Sequence, residues 1–314
     1  MYEIKESFQK YLDELISDKE DMKKFLESCK KPTRTIIRCN TLKISPDRLK
    51  KRLEAKGWKI SQVHGFPEAM IIESRLGPGE LGRTIEHQTG LYYVQELSSM
   101  MSALALEPKE HESVLDLCAS PGSKTTQMSM MMNNTGFLLA NDVKIDRIRA
   151  LSSNLERCGC MNVIVSRMDG VRLCEEVASR KIVFDKILVD APCSGEGIIR
   201  SDPKVWSMYN PDMIQGIASL QKKLIASALK CLKSGGILVY STCTFEPEED
   251  EKVIQFALDK LNVKLEDFEL PLRTREGIEE WKNKRFSDEI KKVKRIFPQD
   301  NDTEGFFVAK LRKL

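Results

Sequence analysis

Two kinds of hydrophobic pattern divide the chain. In the first, Ile4, Phe8, Leu12, Leu15 and Ile16 recur at helical spacing, which predicts one or two amphipathic helices over residues 3–28. Thr35 to Lys43 reads as a strand. Ser45-Pro46-Asp47 then opens a helix with a serine cap, proline at the first position and an acid in the first turn, and Gly57 stops it. Ala69 to Glu73 is a further short strand. These elements form a small α/β module over residues 1–80, closed by the turn at Gly77-Pro78-Gly79.

The second pattern begins near residue 95, where short apolar runs alternate with longer amphipathic ones. Val94 to Leu106 reads as a helix, and Ser113 to Leu117 as a buried strand followed by a helix from Ser123 to Met132. Gly136 to Asn141 and Ile145 to Arg157 repeat the pair, and Asn162 to Ser166 and Asp185 to Asp190 are the third and fourth strands. Asp212 to Leu232 is a long helix that stops at Gly235-Gly236, and Ile237 to Thr242 is the fifth strand. Pro247-Glu248-Glu249 opens another helix with acids at its positive end, and Arg295 to Leu314 holds two closing strands. This alternation predicts an α/β domain over residues 81–314 with a doubly wound, mostly parallel, Rossmann-like sheet. Ligands of such sheets lie beyond the carboxyl ends of the strands.

The polar residues at those ends describe a nucleoside site. Strand one runs into Cys118-Ala119-Ser120-Pro121-Gly122-Ser123-Lys124, a turn into a helix start that offers backbone N–H groups to a polar ligand. Strand two ends at Asp142, whose carboxylate suits the two hydroxyls of a ribose, and strand three is followed by Asp169, suited to an exocyclic amine. Taken singly, each acid is as well explained by a helix cap or a turn. The dinucleotide fingerprint Gly-x-Gly-x-x-Gly is missing, and the phosphate-loop spacing is broken because Ser123 separates Gly122 from Lys124. S-adenosylmethionine, an adenosine without phosphate, fits what remains. Strand four ends in Asp190-Ala191-Pro192-Cys193-Ser194-Gly195-Glu196-Gly197, and strand five in Ser241-Thr242-Cys243-Thr244-Phe245. Two cysteines thus stand at neighbouring strand ends, whereas Cys29, Cys39, Cys158, Cys160, Cys174 and Cys231 read as small buried hydrophobes.

Composition narrows the picture. With 31% charged and 41% hydrophobic residues over 314 positions, the chain is long and apolar enough for a core without disulfides or structural metals. The N-terminal run lacks the apolar block of a signal peptide and no segment approaches the roughly 18 apolar residues of a membrane span, so a cytoplasmic protein with no membrane partner is expected. Nine cysteines in that setting are free thiols, and their spacing does not suit zinc, so no metal is expected. The net charge of +3 decides little, but Lys30 to Lys59 carries eleven Lys/Arg against two acids. Such a basic lobe suits a polyanion, although a solvated helix face explains charge alone equally well.

Taken together, DLCASPGSKT, AND followed by Arg147, DG, DAPCSGEG and STCTF resemble the successive motifs of the Nop/Sun-type RNA cytosine-C5 methyltransferases. HQTGLYYVQELSSM, DTEGFFVAKLRK and RCNTLK extend the resemblance over the rest of the catalytic domain and into the N-terminal module. The first loop departs from the family's Cys-Ala-Ala-Pro-Gly-Gly-Lys-Thr at Ser120 and Ser123, and Arg200-Ser201 stands where two arginines are common. The resemblance implies a compact tRNA-methyltransferase-like enzyme using S-adenosylmethionine. Its cofactor site would comprise the Cys118–Lys124 loop, Asp142, Arg147, Asp169 and Asp190. It also implies Cys243 as the nucleophile toward C6, Cys193 assisting release, Asp190 bonding the base and Lys124 orienting it. DNA cytosine methyltransferases instead attack with the counterpart of Cys193.

A cytosine must be unpaired or flipped out to meet a thiol, with the basic module holding phosphates and Phe245 or Trp206 as candidate stacking residues. RNA is the expected partner, tRNA before rRNA, and a monomer is favoured. A non-catalytic RNA-binding assembly factor on the same fold is the rival reading, opposed by the intact Cys193, Cys243 and Asp190. An adenine-N6 methyltransferase would need Asn/Asp-Pro-Pro-aromatic where DAPC stands.

Overall fold

A computed structural model of the chain describes residues 4–314; residues 1–3, where the expected first helical stretch begins, lie outside the described residues. Helices α1 (Glu6–Leu15) and α2 (Lys19–Cys29) open the chain, and Asp18 caps α2 by accepting from Asp21 N at 2.7 Å. A four-stranded antiparallel sheet follows in the order β2-β3-β1-β4, built from β1 (Thr35–Cys39), β2 (Ile60–Val63), β3 (Phe66–Ile72) and β4 (Tyr92–Val94). Helix α3 (Pro46–Glu54) buries Leu49 and Leu53 against it, and α4 (Glu80–Arg83) and α5 (Ile85–Gln88) are single turns leading to β4.

The larger sheet has the order β10-β14-β9-β8-β5-β6-β7, with β13 paired to β14. Its strands are β5 (Ser113–Asp116), β6 (Phe137–Asn141), β7 (Val163–Ser166), β8 (Phe184–Asp190), β9 (Leu232–Thr242), β10 (Val263–Leu265), β13 (Lys294–Ile296) and β14 (Phe306–Lys313). The run from β9 to β7 is parallel, and β14 closes it antiparallel. Alternation along the strands sends Leu115, Ile187, Val189, Leu238 and Tyr240 to one face and Val114, Leu138, Leu188 and Val239 to the other. Helices α9 (Gly170–Ser179), α11 (Pro211–Lys230) and α12 (Glu251–Lys260) cover the first face, and α6 (Met101–Leu106) and α7 (Ser123–Met131) the second. Helix α8 (Ile145–Cys158) packs Leu151 and Leu155 beside Ala119 and Ala140. The remaining elements are α10 (Val205–Met208), the hairpin β11 (Glu280–Trp281) and β12 (Lys284–Arg285), and α13 (Pro298–Asn301). The doubly wound, mostly parallel arrangement is the one expected.

Several local expectations change. Helices α1 and α2 lie on the large domain: Phe8 packs against Trp206 and Tyr209, and Phe25 against Phe245. Their apolar stripe matches the broad core beneath α11 and α12 better than the small sheet, which α3 already covers. The helix expected from Val94 to Leu106 is interrupted, because β4 pairs with β1 and Gln95 N donates to Ile36 O, so α6 starts only at Met101. The four-stranded sheet therefore takes a strand from beyond Gly77-Pro78-Gly79. Gly235-Gly236 lies inside β9 rather than ending α11, and α12 begins at Glu251 because Glu249 O is already engaged by Tyr240 OH at 2.7 Å.

The RCNTLK stretch joins the two sheets. Arg38, 1% exposed, donates to Ser123 O at 2.7 Å and Thr126 Oγ1 at 2.8 Å at the start of α7, and to Gln95. Asn40 donates to Cys158 O and Lys43 to Arg157 O, both at 2.7 Å, at the end of α8. The carbonyls at that helix end carry partial negative charge, so an amide and an ammonium suit them.

Arg295 of β13 anchors the other side of the domain. Its guanidinium grips Glu251 with two bonds of 2.6 Å, lies 3.5 Å from Asp250 and donates to Phe245 O at 3.1 Å. Both carboxyls are fully buried. Arg295→Met leaves them without their cation, and the expected loss is about 3–5 kcal/mol of unfolding free energy in urea at neutral pH. A loss below about 1 kcal/mol would show that the pair does not hold this layer.

Candidate active site

Strands β8 and β9 are parallel neighbours in register, with Asp190 opposite Ser241. The segments leaving them therefore start side by side, and the sulfurs of Cys193 and Cys243 come to 3.2 Å. Asp190 stands below the pair. Its Oδ1 accepts from Ser241 Oγ at 2.8 Å and its Oδ2 from Lys124 Nζ at 2.7 Å. Burial works against the Lys124 ammonium, but the adjoining Asp190 carboxylate outweighs it and holds the group above its ordinary pKa. The hydrogen bond to Cys243, then burial, pushes the Cys193 thiol well up.

Two cavities meet at this point. One, of about 520 Å³, lies over the ends of β5, β6 and β8, where Cys118, Asp142, Arg147, Met168, Asp169 and Cys193 line it. The other, of about 510 Å³, opens between the two sheets and is lined by Arg34, Glu96, Ser123, Lys124, Glu304 and Phe306 among others. Asp190, Ala191 and Cys243 border both, so they form the shared wall.

The expected site residues divide between these spaces. Asp142 is 4% exposed, accepts from Lys144 N at 3.1 Å and meets Arg147 Nε at 3.2 Å. Arg147 also donates to Ser120 O at 2.6 Å, and Ser120 Oγ returns a bond to Arg147 O at 2.7 Å. Asp169 lines the first cavity and also caps α9 through Arg172 N at 3.0 Å. Ala119, Ser120, Pro121 and Gly122 border neither cavity. The amides of Ala119 and Gly122 donate to Asn141 O and Ala119 O, and Gly122 takes a φ of 101° that a side chain would strain.

The stacking candidates are core residues: Phe245 is 1% exposed between Phe25 and Phe297, and Trp206 is half-buried against Phe8. Arg200 orders a loop by donating to Thr303 O, Pro32 O and Asp302. Residues with no strand-end signal also reach the site. Phe306, 5.2 Å from Lys124 Nζ at its ring centre, opens the antiparallel closing strand and Glu304 just precedes it, where DTEGFF marks only a strand start.

Comparison with known proteins settles the family. The description "16S rRNA methyltransferase RsmB/F" matches residues 103–312, and "N-terminal domain of 16S rRNA methyltransferase RsmF" matches residues 4–97. The chain belongs to the RsmB/F family of RNA methyltransferases. It is 42% identical to tRNA (cytosine(49)-C(5))-methyltransferase of Pyrococcus abyssi, with 99% of each chain covered. It is 40% identical to ribosomal RNA small subunit methyltransferase F of Vibrio campbellii over 99% of this chain, which spans 63% of that protein's length. Among solved structures it is similar to a methyltransferase homolog protein from Pyrococcus horikoshii, with TM-score 0.85, 38% identity and coverage of 97% and 94%. NSun6 from the same organism, solved with SFG, matches with TM-score 0.83, 27% identity and 98% coverage of both chains.

RsmB/F-family enzymes are S-adenosylmethionine-dependent RNA cytosine-C5 methyltransferases, and the first cavity fits that cofactor. It combines a buried carboxylate (Asp142) and a second acid (Asp169) with an apolar side formed by Met168, Leu220 and Leu224. Gly170 keeps its floor low, since a Cβ there would meet Leu224 at 2.9 Å. Among the described residues no helix is long and apolar enough to cross a membrane.

Beneath the cavity, burial raises the Asp116 carboxyl to about 7, opposed by the bond from Thr125 and assisted by Asp190. A carboxyl with a raised folded pKa is most easily accommodated while protonated, so its contribution to stability is lost as pH rises through about 7. Asp116→Asn, which keeps the Thr125 acceptor, should lose less unfolding free energy than wild type between pH 5 and pH 8. Equal slopes in urea titrations at the two pH values would contradict this.

Proposed function

We propose that the chain methylates C5 of cytosine in tRNA through a covalent bond between Cys243 and C6 of the base. What supports this most directly is the shared wall: Cys243 and Asp190 face both cavities, while Cys193 faces only the cofactor side. A cytosine in the second cavity and the cofactor in the first would meet across Cys243. S-adenosylmethionine, when bound, supplies the methyl as an electrophilic carbon on a sulfonium.

Cytosine C5 is a poor nucleophile until C6 is saturated. The Cys243 thiolate forms the S–C6 bond, and the displaced electron pair makes C5 enamine-like. Asp190, held by Lys124 and Ser241, accepts from the exocyclic amine of the base, on which charge changes during addition. C5 would take the methyl carbon as the sulfonium's S–CH3 bond breaks, its proton then passes to water, and the electron pair left behind breaks the S–C6 bond. Cys193, whose thiol is kept protonated, donates to the Cys243 sulfur at 3.2 Å and so assists both the thiolate and its departure.

tRNA is favoured because the Pyrococcus abyssi relative is matched along 99% of its length, against 63% for the Vibrio campbellii rRNA enzyme. The target base is unpaired or flipped out. The exposed Lys30, Lys31, Arg48, Lys51 and Lys59 contact phosphates and position the RNA.

Incubation with methyl-labelled S-adenosylmethionine and either tRNA or small-subunit rRNA, followed by nucleoside analysis, tests the reading. Wild type should place 5-methylcytosine in tRNA. Cys243→Ala should abolish it, and Cys193→Ala should accumulate a protein–RNA adduct on denaturing gels. Methylation of rRNA alone would reassign the substrate, and an active Cys243→Ala would remove the covalent mechanism.

A further inference from the structure

Behind the two sulfurs lies a hydrogen-bonded cluster that the reaction as derived above does not use. The residues that follow the cysteines, Ser194 and Thr244, turn their hydroxyls inward to within 3.2 Å of each other. Both donate to the same oxygen, Oε2 of Glu196, Ser194 at 2.6 Å. Glu196 is 3% exposed and Thr244 1%. Ser194 Oγ also contacts Oε1 of Glu249, which is fully buried. The other Glu249 oxygen accepts from Gln221 Nε2 at 2.7 Å and from Ser194 N at 3.2 Å, and Gln221 reaches Pro192 O at 3.0 Å. The backbone reinforces the join, because Gly197 N donates to Cys243 O at 2.9 Å.

Counting protons constrains the cluster. Ser194 has one proton for its two carboxyl contacts, so one of the two acids supplies the other proton. Both N–H donors fall on Oε2 of Glu249, which leaves its Oε1, facing Ser194, able to carry that proton. Burial, with the charge of Glu196 nearby, raises this carboxyl to about 7, in agreement. Two ionised carboxylates sharing one serine proton would repel at this depth of burial.

The geometry points to Glu196 and Glu249 being positioning residues that lock the Cys193 and Cys243 loops together and so set the separation of the two sulfurs. This rests on the proposed roles of the cysteines. Release depends on Cys193 standing against the Cys243 sulfur, and small displacements of reacting groups are costly. Glu196 touches neither cofactor nor base cavity, so its effect on the reaction runs through its contacts with Ser194 and Thr244 and its neighbour Glu249.

Steady-state and single-turnover methylation by the full chain, with tRNA and labelled S-adenosylmethionine, tests this across Glu196→Ala, Glu249→Ala, Glu249→Gln, Cys193→Ala and Cys243→Ala. Glu196→Ala should lower kcat by about 100-fold while KM for S-adenosylmethionine stays within about twofold. It should also accumulate the covalent adduct seen with Cys193→Ala. Glu249→Gln, whose amide can donate to Ser194 as a protonated acid would, should recover most of the turnover that Glu249→Ala loses. Turnover of Glu196→Ala within about twofold of wild type, or a rise in KM matching the fall in kcat, would overturn the assignment. Should Glu196→Ala not fold, Thr244→Val and Ser194→Ala each remove one anchor, and absence of adduct in both would overturn it equally. Methylation by Cys243→Ala would instead remove the covalent reading, and this inference with it.

Discussion

Asp190 is the constraint on which the rest of the site depends. Its carboxylate ends β8, accepts from Ser241 on β9 and from Lys124 on the first turn of α7. Lys124 is 8% exposed, and a buried ammonium without its carboxylate is costly, so helix and strands are held to one arrangement. The same turn of α7 is gripped from the opposite side, where Arg38 donates to Ser123 O and Thr126. A line of hydrogen bonds thus runs from the small sheet through α7 to the ends of β8 and β9. The two cavities can share one wall because both strands and α7 converge on that carboxylate.

This explains why the basic lobe is less of a polyanion surface than its charge suggests. Arg38 and Lys43 donate to α7 and to the end of α8, and Arg52 and Lys56 neutralise Glu86, whose side chain is fully buried. Four of the eleven cations therefore build the module and its attachment. Charge counted along a chain does not distinguish a guanidinium facing phosphate from one facing a helix carbonyl. The distinction depends on which partner the fold brings up, and Glu86 lies 34 residues from Arg52.

The parallel sheet was legible because each of its strands is a short apolar run set between helices, a pattern that only burial on both faces requires. The strand-end chemistry followed, since Asp142, Asp190, Cys193 and Cys243 lie within a few residues of those ends. What escaped was set by distant pairing. Tyr92–Val94 is a strand because Ile37–Cys39 lies beside it, although the residues from Val94 to Leu106 have helical character. Phe306 and Glu304 reach the second cavity because β14 runs antiparallel beside β9 and so starts where β9 ends. Phe245 packs in the core, the commoner role of such an aromatic, because its cover includes Phe25 of α2, more than two hundred residues earlier.

The contact between the sulfurs favours unequal roles. Adjacent parallel strands lie about 4.8 Å apart, so residues just past their ends can bring two side chains together without distorting either strand. At 3.2 Å one sulfur donates its S–H and the other accepts it, so the two cannot play the same part. The surroundings break the symmetry. Cys193 faces the cofactor cavity, and its bond to Cys243 and its burial penalise its ionisation, whereas Cys243 borders both cavities. A nucleophile toward the base must face the base, and a group that only donates a proton to the leaving sulfur need not. The assignment proposed for the pair thus follows from which sulfur faces which cavity, and the preference would reverse only if the base occupied the other cavity.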